Sequence, residues 1–174
     1  MFERAPSGRS KCRGCGVAIA RGEARFGERL PNPFAEGELT HWFHPLCAAY
    51  KRPEPLMAAL AEAPDVERRD VLEAAARVSA AAPRLARIDG AERSPSSQAR
   101  CRQCHEPIAK GGWRIRVVFY EEGTFSPSGF VHASCRTAYF GTPDILEQAL
   151  HFSRGLSADE REALRCAFEE SAGT

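Results

Sequence analysis

The sequence is short of several features that define common protein classes. No apolar run approaches the length of a membrane-spanning helix, and the opening residues, numbers 1–4, begin no apolar stretch of the secretory type. We also find no glycine-rich phosphate loop, no nucleophile elbow and no carboxylate pair in a marked environment. These absences predict a chain that is intracellular, without a membrane segment and not an enzyme. The net charge of +1 by itself predicts no affinity for nucleic acid.

Cysteine is present in an odd number, seven, which fits poorly with a disulfide framework. Six of the seven fall into two sets, each completed by one histidine. The sets are Cys12, Cys15, His44 and Cys47, and then Cys101, Cys104, His132 and Cys135. Three thiolates and one imidazole make a complete tetrahedral zinc set, and a closed set is structural rather than catalytic. The sequence therefore predicts two structural Zn²⁺ ions. The seventh cysteine, Cys166, is expected to be a small buried apolar residue of an amphipathic helix.

The two ligand sets belong to a longer internal repeat. Each Cys-x2-Cys pair is followed by a His-x2-Cys pair, after 28 residues in the first set and 27 in the second. Matched positions between the ligands are offset by 89 residues, as in Arg25 and Arg114. This predicts an α+β chain of two small zinc-stapled fingers, each a short antiparallel sheet with following helices. We expect a first finger over 1–78, a linker over 79–97 and a second finger over 98–174.

The segments around the ligands carry the clearest local signals. Pro45 directly after His44 predicts a helix beginning there. The pattern after Asp65 predicts a helix capped by that residue, and its apolar side is expected to hold Val66, Val71, Leu72, Ala75 and Val78. Ser157, followed three residues later by a glutamate, predicts a capping box for the last helix.

Charge is polarised along the chain although its sum is small. Residues 1–53 hold nine lysines and arginines against five acidic residues, and residues 98–120 hold five against Glu106 alone. The segments that follow each finger are net acidic. Clustered positive charge in each finger is the pattern expected for contact with a phosphate backbone.

At the ligands and their flanks the sequence resembles the zinc finger of the poly(ADP-ribose) polymerase type, a module also found in some DNA ligases. The resemblance is carried by residues 7–12 and 41–47, and both fingers keep the ligand pattern. It implies recognition of DNA strand breaks by structure rather than by sequence, with arginines on phosphates and apolar residues on exposed base faces. No catalytic domain fits in the remaining residues. The alanine- and arginine-rich composition suggests a bacterial source.

The resemblance also assigns residues. It implies phosphate contacts by Arg9 and Arg25, and base stacking by Phe34 and Leu39. In the second finger, Arg114 matches Arg25, but Gln98 stands where the first finger has Arg9. The candidates for that finger are therefore Arg114 for phosphate and Phe125 for stacking.

Alternatives remain open at this level. The arginines could neutralise the net negative charge of a Cys3His zinc site. The fingers could be scaffolds of an adaptor whose helices bind a DNA repair protein, or the ligand could be RNA. The second finger could bind another face of the break, pair with another chain as a homodimer, or be structural. We expect a cytoplasmic protein with DNA as its partner, nucleoid-associated if bacterial and nuclear if eukaryotic.

Overall fold

A computed structural model of the chain describes residues 1–32 and 35–170, with the Glu170 side chain outside that description. The chain folds into two compact units. One comprises Met1–Ala86 with Tyr120–Phe125, and the other comprises Arg87–Phe119 with Ser126–Thr174. None of the described helices combines the length and the apolarity needed to cross a lipid bilayer.

The first unit is a three-stranded antiparallel sheet followed by three helices. Its strands, paired in chain order, are β1 (Phe2–Arg4), β2 (Ala24–Pro31) and β3 (Glu38–Phe43). Its helices are α1 (Pro45–Lys51), α2 (Pro53–Glu62) and α3 (Arg69–Ala81). The core lies where α1 and α2 cover the sheet, and it contains the fully buried Ile19, Phe43 and Leu56. Each such side chain contributes about 1.5–3 kcal/mol by leaving water.

The second unit repeats this order, and its first two helices are shorter than those of the first unit. Its sheet runs β4 (Ile88–Arg93), β5 (Trp113–Glu121) and β6 (Thr124–His132). A 3-10 turn (Ala133–Cys135) leads into α4 (Arg136–Phe140), followed by α5 (Leu146–His151) and α6 (Ala158–Glu170). The expected α+β architecture of two small sheets with following helices is confirmed.

Two helix starts follow the sequence signals. Pro45 is the first residue of α1, directly after His44. The capping box at α6 is also present, because the Ser157 amide donates to the Glu160 carboxylate at 2.8 Å and the Glu160 amide donates to the Ser157 hydroxyl at 3.2 Å. These local contacts satisfy amides that an α-helix leaves unpaired at its N-terminus.

The segment 79–97, expected as a linker, is not one throughout. It contains the end of α3, a 3-10 turn (Leu85–Arg87) and all of β4. Gly90 suggested a loop, but it has φ +108° and lies where the β4–β5 register shifts between Ile88 and Ala91. A glycine at a β-bulge therefore gave the same sequence signal as a flexible linker.

The apolar face expected for α3 is only partly right, because Leu72 is buried as expected but Val71 and Val78 are not, and Asp65 does not cap the helix. The helix begins at Arg69, and its buried residues are Leu72, Ala76 and Ser79. Val71 and Val78 are 36% and 53% exposed. Packing against α1 and α2 selects the face, and the more apolar side of α3 is left outward.

Cys166 is also placed differently from the expectation. It is exposed on α6, while Leu164 and Phe168 are the buried apolar residues nearest to it on that helix. The helical pattern of α6 has apolar residues at neighbouring positions, so the sequence did not determine which side of the helix faces the core. Burial of the larger side chains, Leu164 and Phe168, determines that side.

Candidate metal centres and basic surface

The first ligand set converges on one point. Cys12 and Cys15 lie on a turn closed by the Gly16 amide, which donates to the Cys12 carbonyl at 2.8 Å. His44 and Cys47 come from the end of β3 and the first turn of α1. The His44 Nδ1 atom lies 3.4 Å from the Cys15 sulfur and 3.9 Å from the Cys47 sulfur. All four donor atoms lie within 4.8 Å of one another.

A carboxylate orients the histidine of this set. While Nδ1 of His44 faces the thiolates, its Nε2 atom lies 3.5 Å from a Glu23 carboxylate oxygen. Such a contact fixes the ring orientation and raises the basicity of the ligating nitrogen. Glu23 was not identified from the sequence, because it lies eight residues after Cys15 in a turn with no recognisable ligand spacing.

Protonation of the first set reflects this crowding. Hydrogen bonds with Cys12 and Cys47 hold the pKa of Cys15 far below its usual range, and contact with Cys12 raises the pKa of His44 to about 10. Contact with Cys12 and Cys15 raises the pKa of Cys47. Without a metal, the three thiols and the imidazole share protons among themselves. A single cation bound between them would replace those protons and coordinate all four groups.

The second set reproduces this geometry. The Nδ1 atom of His132 lies 3.4 Å from the Cys104 sulfur and 3.9 Å from the Cys135 sulfur, and all four donors again lie within 4.8 Å. The Nε2 atom of His132 lies 3.3 Å from the Pro107 carbonyl, so a backbone oxygen takes the place of the carboxylate.

Backbone amides stabilise a thiolate in this second set. Although burial opposes ionisation, backbone hydrogen bonds, including one from the His132 amide at 3.3 Å, lower the pKa of Cys101 to about 7. Burial and contact with Cys104 raise the pKa of Cys135 to about 12. Three sulfurs and one imidazole nitrogen at these separations fit tetrahedral Zn²⁺, for which Zn–S is about 2.3 Å and Zn–N about 2.0 Å. The two sets are two structural zinc sites without an open coordination position.

The arginines expected at phosphate positions differ in exposure. Arg25 is 5% exposed, forms an ion pair with Glu3, donates to the Ser10 hydroxyl at 2.7 Å and has its guanidinium carbon 3.5 Å from the Trp42 ring centre. Contact of Arg25 with DNA stays a prediction, and it requires the guanidinium to leave at least part of this setting.

Arg114 has the corresponding environment in the second unit. It is 7% exposed, donates to Glu92 at 3.0 Å and to the Ser94 hydroxyl at 3.1 Å, and stacks 3.6 Å from the centre of the Phe130 ring. Glu3 faces Arg25 across β1 and β2 as Glu92 faces Arg114 across β4 and β5. In these hydrogen bonds neither arginine contacts a zinc ligand. The carboxylates that the two arginines neutralise are Glu3 and Glu92 on the neighbouring strands, rather than the thiolates of the zinc sites.

Arg9 by contrast is exposed, and two further cations accompany it. Lys11 and Arg13 are exposed on either side of Cys12. None of the three forms an ion pair with any residue in the ranges that the structure describes. Lys11 and Arg13 line an open groove of about 490 Å³ whose other lining residues include Thr40 and Trp42. Lys11 and Arg13 were not predicted as site residues, although the alternation of cations at positions 9, 11 and 13 indicates a basic edge.

The stacking candidates are only partly described. Phe34 lies outside the described residues. Leu39 is half-buried on β3, opposite Leu30 on β2. Phe125 is half-buried, with its ring centre 4.7 Å from that of Tyr120. Their roles toward a base stay predictions.

The fold and the two donor sets define a class, the zinc-finger protein with structural Cys3His centres. No family model matches the chain. Among curated proteins, it is 31% identical over 140 residues to Poly [ADP-ribose] polymerase 1 of Oryza sativa subsp. japonica, covering 76% of this chain and 14% of that protein. It is 29% identical over 137 residues to Poly [ADP-ribose] polymerase of Drosophila melanogaster, covering 70% of this chain and 14% of that protein.

These similarities indicate which type of zinc finger the chain contains. The chain spans about one seventh of the length of the curated relatives that it matches. The matched share, together with the two Cys3His sets, identifies the chain as a zinc-finger region of the poly(ADP-ribose) polymerase type. The expected resemblance is thereby confirmed for the finger region, and the activity of the longer relatives is not carried over to this chain.

Proposed function

We propose that this chain binds DNA strand breaks, such as nicks, gaps and ends, by structure rather than by sequence. In this account the two units are tandem copies of one finger, zinc holds each in shape, and the chain has no catalytic step of its own. The observation that carries the proposal is a group of exposed cations around the first zinc turn, without an ion-pair partner in the part of the chain that the structure describes: Arg9, Lys11 and Arg13.

Phosphate binding follows from charge and exposure. A guanidinium or ammonium group already paired with a protein carboxylate gains little from a phosphate, whereas a solvated, unpaired one releases counterions when it docks. Lys11 and Arg13 border an open groove, so a backbone could lie along it without rearranging the sheet. Such contacts position DNA but carry no sequence information.

Preference for a break requires a second kind of contact. An intact duplex hides base faces, whereas a nick, gap or end exposes them. Stacking of an apolar side chain on an exposed base contributes about 1–3 kcal/mol and is insensitive to sequence. Leu39 lies on β3, the strand that leads to His44, and Phe34 comes five residues before Leu39 in the sequence. We assign the stacking role to them and a secondary role to Phe125.

The test is fluorescence anisotropy of the zinc-loaded protein with nicked, gapped and blunt-ended duplexes labelled at one site. Unlabelled closed-circular duplex serves as the competitor that has no break. We expect tight binding to the interrupted forms and weak competition by the closed circle. Arg9→Ala should weaken binding to all forms alike, while Phe34→Ala should remove the preference for interrupted DNA. Equal affinity for nicked and closed duplex in the unmodified protein would contradict the proposal.

A further inference from the structure

The outward side of α3 exposes two large apolar side chains, Val71 and Val78. Val71, Ala74, Val78 and Ala81 are all exposed and follow one another at intervals of three, four and three residues. That spacing places them on one side of an α-helix. We call these four residues the outer face of α3. Val78 is the most exposed large apolar side chain among the described residues, at 53%.

A shallow cleft lies beside one end of this face. Val71 and Leu72 line it together with Pro45 and Leu46 of α1, and its volume is about 380 Å³. Its lining is mixed, because these apolar side chains and Ala24 share it with Arg4, Glu23, His44, Glu67 and Arg68. The apolar part is large enough for one aliphatic side chain. Val78 stands two turns further along the same helix, about 10 Å from Val71 at 1.5 Å per residue.

Charges border the outer face in a self-complementary way. Asp70 and Arg77 are exposed, carry opposite signs and are seven residues apart, so they lie on the same edge of the helix. If a second α3 is laid antiparallel on the first, each Asp70 faces the partner's Arg77. Arg77 also pairs with Glu73 on its own helix at 2.8 Å, but its side chain is 67% exposed and has donors to spare.

We propose that the outer face of α3 is a self-association surface, on which two copies of this chain pack antiparallel about a two-fold axis. The Val78 side chain of each copy enters the cleft beside Val71 of the other. Ala74 and Ala81 let the two helices approach closely. Such an interface is isologous, since the same patch serves both copies and the symmetry closes it at two.

The partner on this surface is a second copy of the chain rather than an unrelated protein, because the surface carries both halves of each contact. Val78 and the cleft beside Val71 are seven residues apart, and so are Asp70 and Arg77. The interface is small. One helix of 13 residues with its cleft buries less than the roughly 1,200 Å² of a stable complex. We therefore expect a reversible dimer with a dissociation constant in the micromolar range or weaker. The inference does not depend on DNA binding.

The first test is sedimentation velocity of the zinc-loaded full chain, without DNA, over a range from micromolar to millimolar protein. The account predicts a shift from 19.1 kDa toward twice that mass as concentration rises. Val78→Glu should stay monomeric at every concentration. Val17→Glu, at an exposed valine outside α3, is the matched control and should dimerise normally. A wild-type chain that stays monomeric, or a Val78→Glu chain that still dimerises, would overturn the proposal.

A charge exchange tests the antiparallel arrangement. Asp70→Arg and Arg77→Asp each place like charges opposite one another twice, so each variant alone should dimerise about tenfold more weakly. Mixed together, the two variants should form a heterodimer, because one then presents two positive and the other two negative groups. Absence of that heterodimer, with zinc content and helix content normal in both variants, would rule out the antiparallel pairing.

Discussion

In the first unit the cations around the zinc turn have no ion-pair partner among the described residues, whereas in the second unit their counterparts donate hydrogen bonds to the protein itself. Arg100 and Arg102 are offset by 89 residues from Lys11 and Arg13. Arg100 donates to the His105 carbonyl at 3.1 Å, and Arg102 donates to the Ser128 carbonyl at 2.6 Å. The same scaffold therefore leaves its positive groups in solvent in the first unit and uses them to hold loops in the second.

The two metal centres also differ, in how deeply the cysteine ligands are buried and in which group orients the histidine. Cys12 and Cys47 are buried in the first site, while Cys104 is exposed in the second. The first histidine is oriented by the Glu23 carboxylate, and the second by a carbonyl. The comparison teaches that ligand identity and spacing are not sufficient to equate two fingers, because the groups around the ligands determine accessibility and charge.

The largest effect should come from removing one zinc site at a time. Cys12→Ser should lose one of two zinc ions, unfold the first unit and abolish binding to nicked DNA, because structural zinc contributes about 10–16 kcal/mol to folding in small zinc domains. Cys101→Ser should also lose one zinc ion but keep most DNA binding. Zinc content, circular dichroism and anisotropy together check this, and loss of DNA binding only in Cys101→Ser would reverse the assignment.

Breaking the buried ion pairs should have the next largest effect, and a similar one in both units. Arg25→Ala and Arg114→Ala should each lower the free energy of unfolding by about 2 kcal/mol, because charge-assisted hydrogen bonds are lost and a half-buried carboxylate loses its partner. Denaturant unfolding of the zinc-loaded protein measures this. Arg29→Ala, exposed on the same strand as Arg25, is the control. If Arg25→Ala weakens DNA binding without loss of stability, the arginine acts on phosphate instead.

Chelation should separate the two metal sites. The second site should release zinc on the order of tenfold faster than the first, because Cys104 is open to solvent and its histidine lacks a carboxylate partner. Zinc release to a competing chelator, followed with a metal indicator, should show two phases. The slow phase should be missing in Cys12→Ser, and disappearance of the fast phase there would contradict the order.

Single cations should give a smaller, unit-specific effect. Arg13→Ala should weaken binding to nicked duplex by about 1 kcal/mol and lower the salt dependence by about 0.9 in log–log slope for one lost phosphate contact. Arg102→Ala, its counterpart in the second unit, should change neither quantity. Anisotropy at several salt concentrations measures both, and equal slopes for Arg13→Ala and wild type would count against phosphate contact at that residue.

The smallest effect concerns one backbone position in each zinc turn. Gly16 has φ +74°, and His105, at the matching position of the second unit, has φ +64°. His105→Gly should raise the free energy of unfolding by about 0.5 kcal/mol, since glycine adopts this region without steric cost. Gly16→Ala should lower it by about 1 kcal/mol for the converse reason. Denaturant unfolding curves of each variant beside the wild type measure these changes. A less stable His105→Gly or a more stable Gly16→Ala would contradict the prediction.

How far the sequence could predict these units depends on the range of the interactions. The ligand sets could be read because chemistry fixes both residue type and spacing at a zinc turn. The start of α1 and the capping box of α6 could be read because both are local. The burial of Arg25 could not, since it depends on Glu3 from a strand 22 residues away that is only three residues long. Likewise, the rotation of α3 was decided by packing against α1 and α2.

The most direct test of the central claim, that the first unit grips the break, is a nuclear magnetic resonance titration of ¹⁵N-labelled, zinc-loaded protein. The ligand is a DNA dumbbell with one nick, and the same dumbbell after ligation is the control. The account predicts shifts concentrated on residues 9–13 and 39–42 with the nicked form and much smaller shifts with the ligated form. Shifts centred on residues 100–104, or identical shifts with both forms, would contradict it.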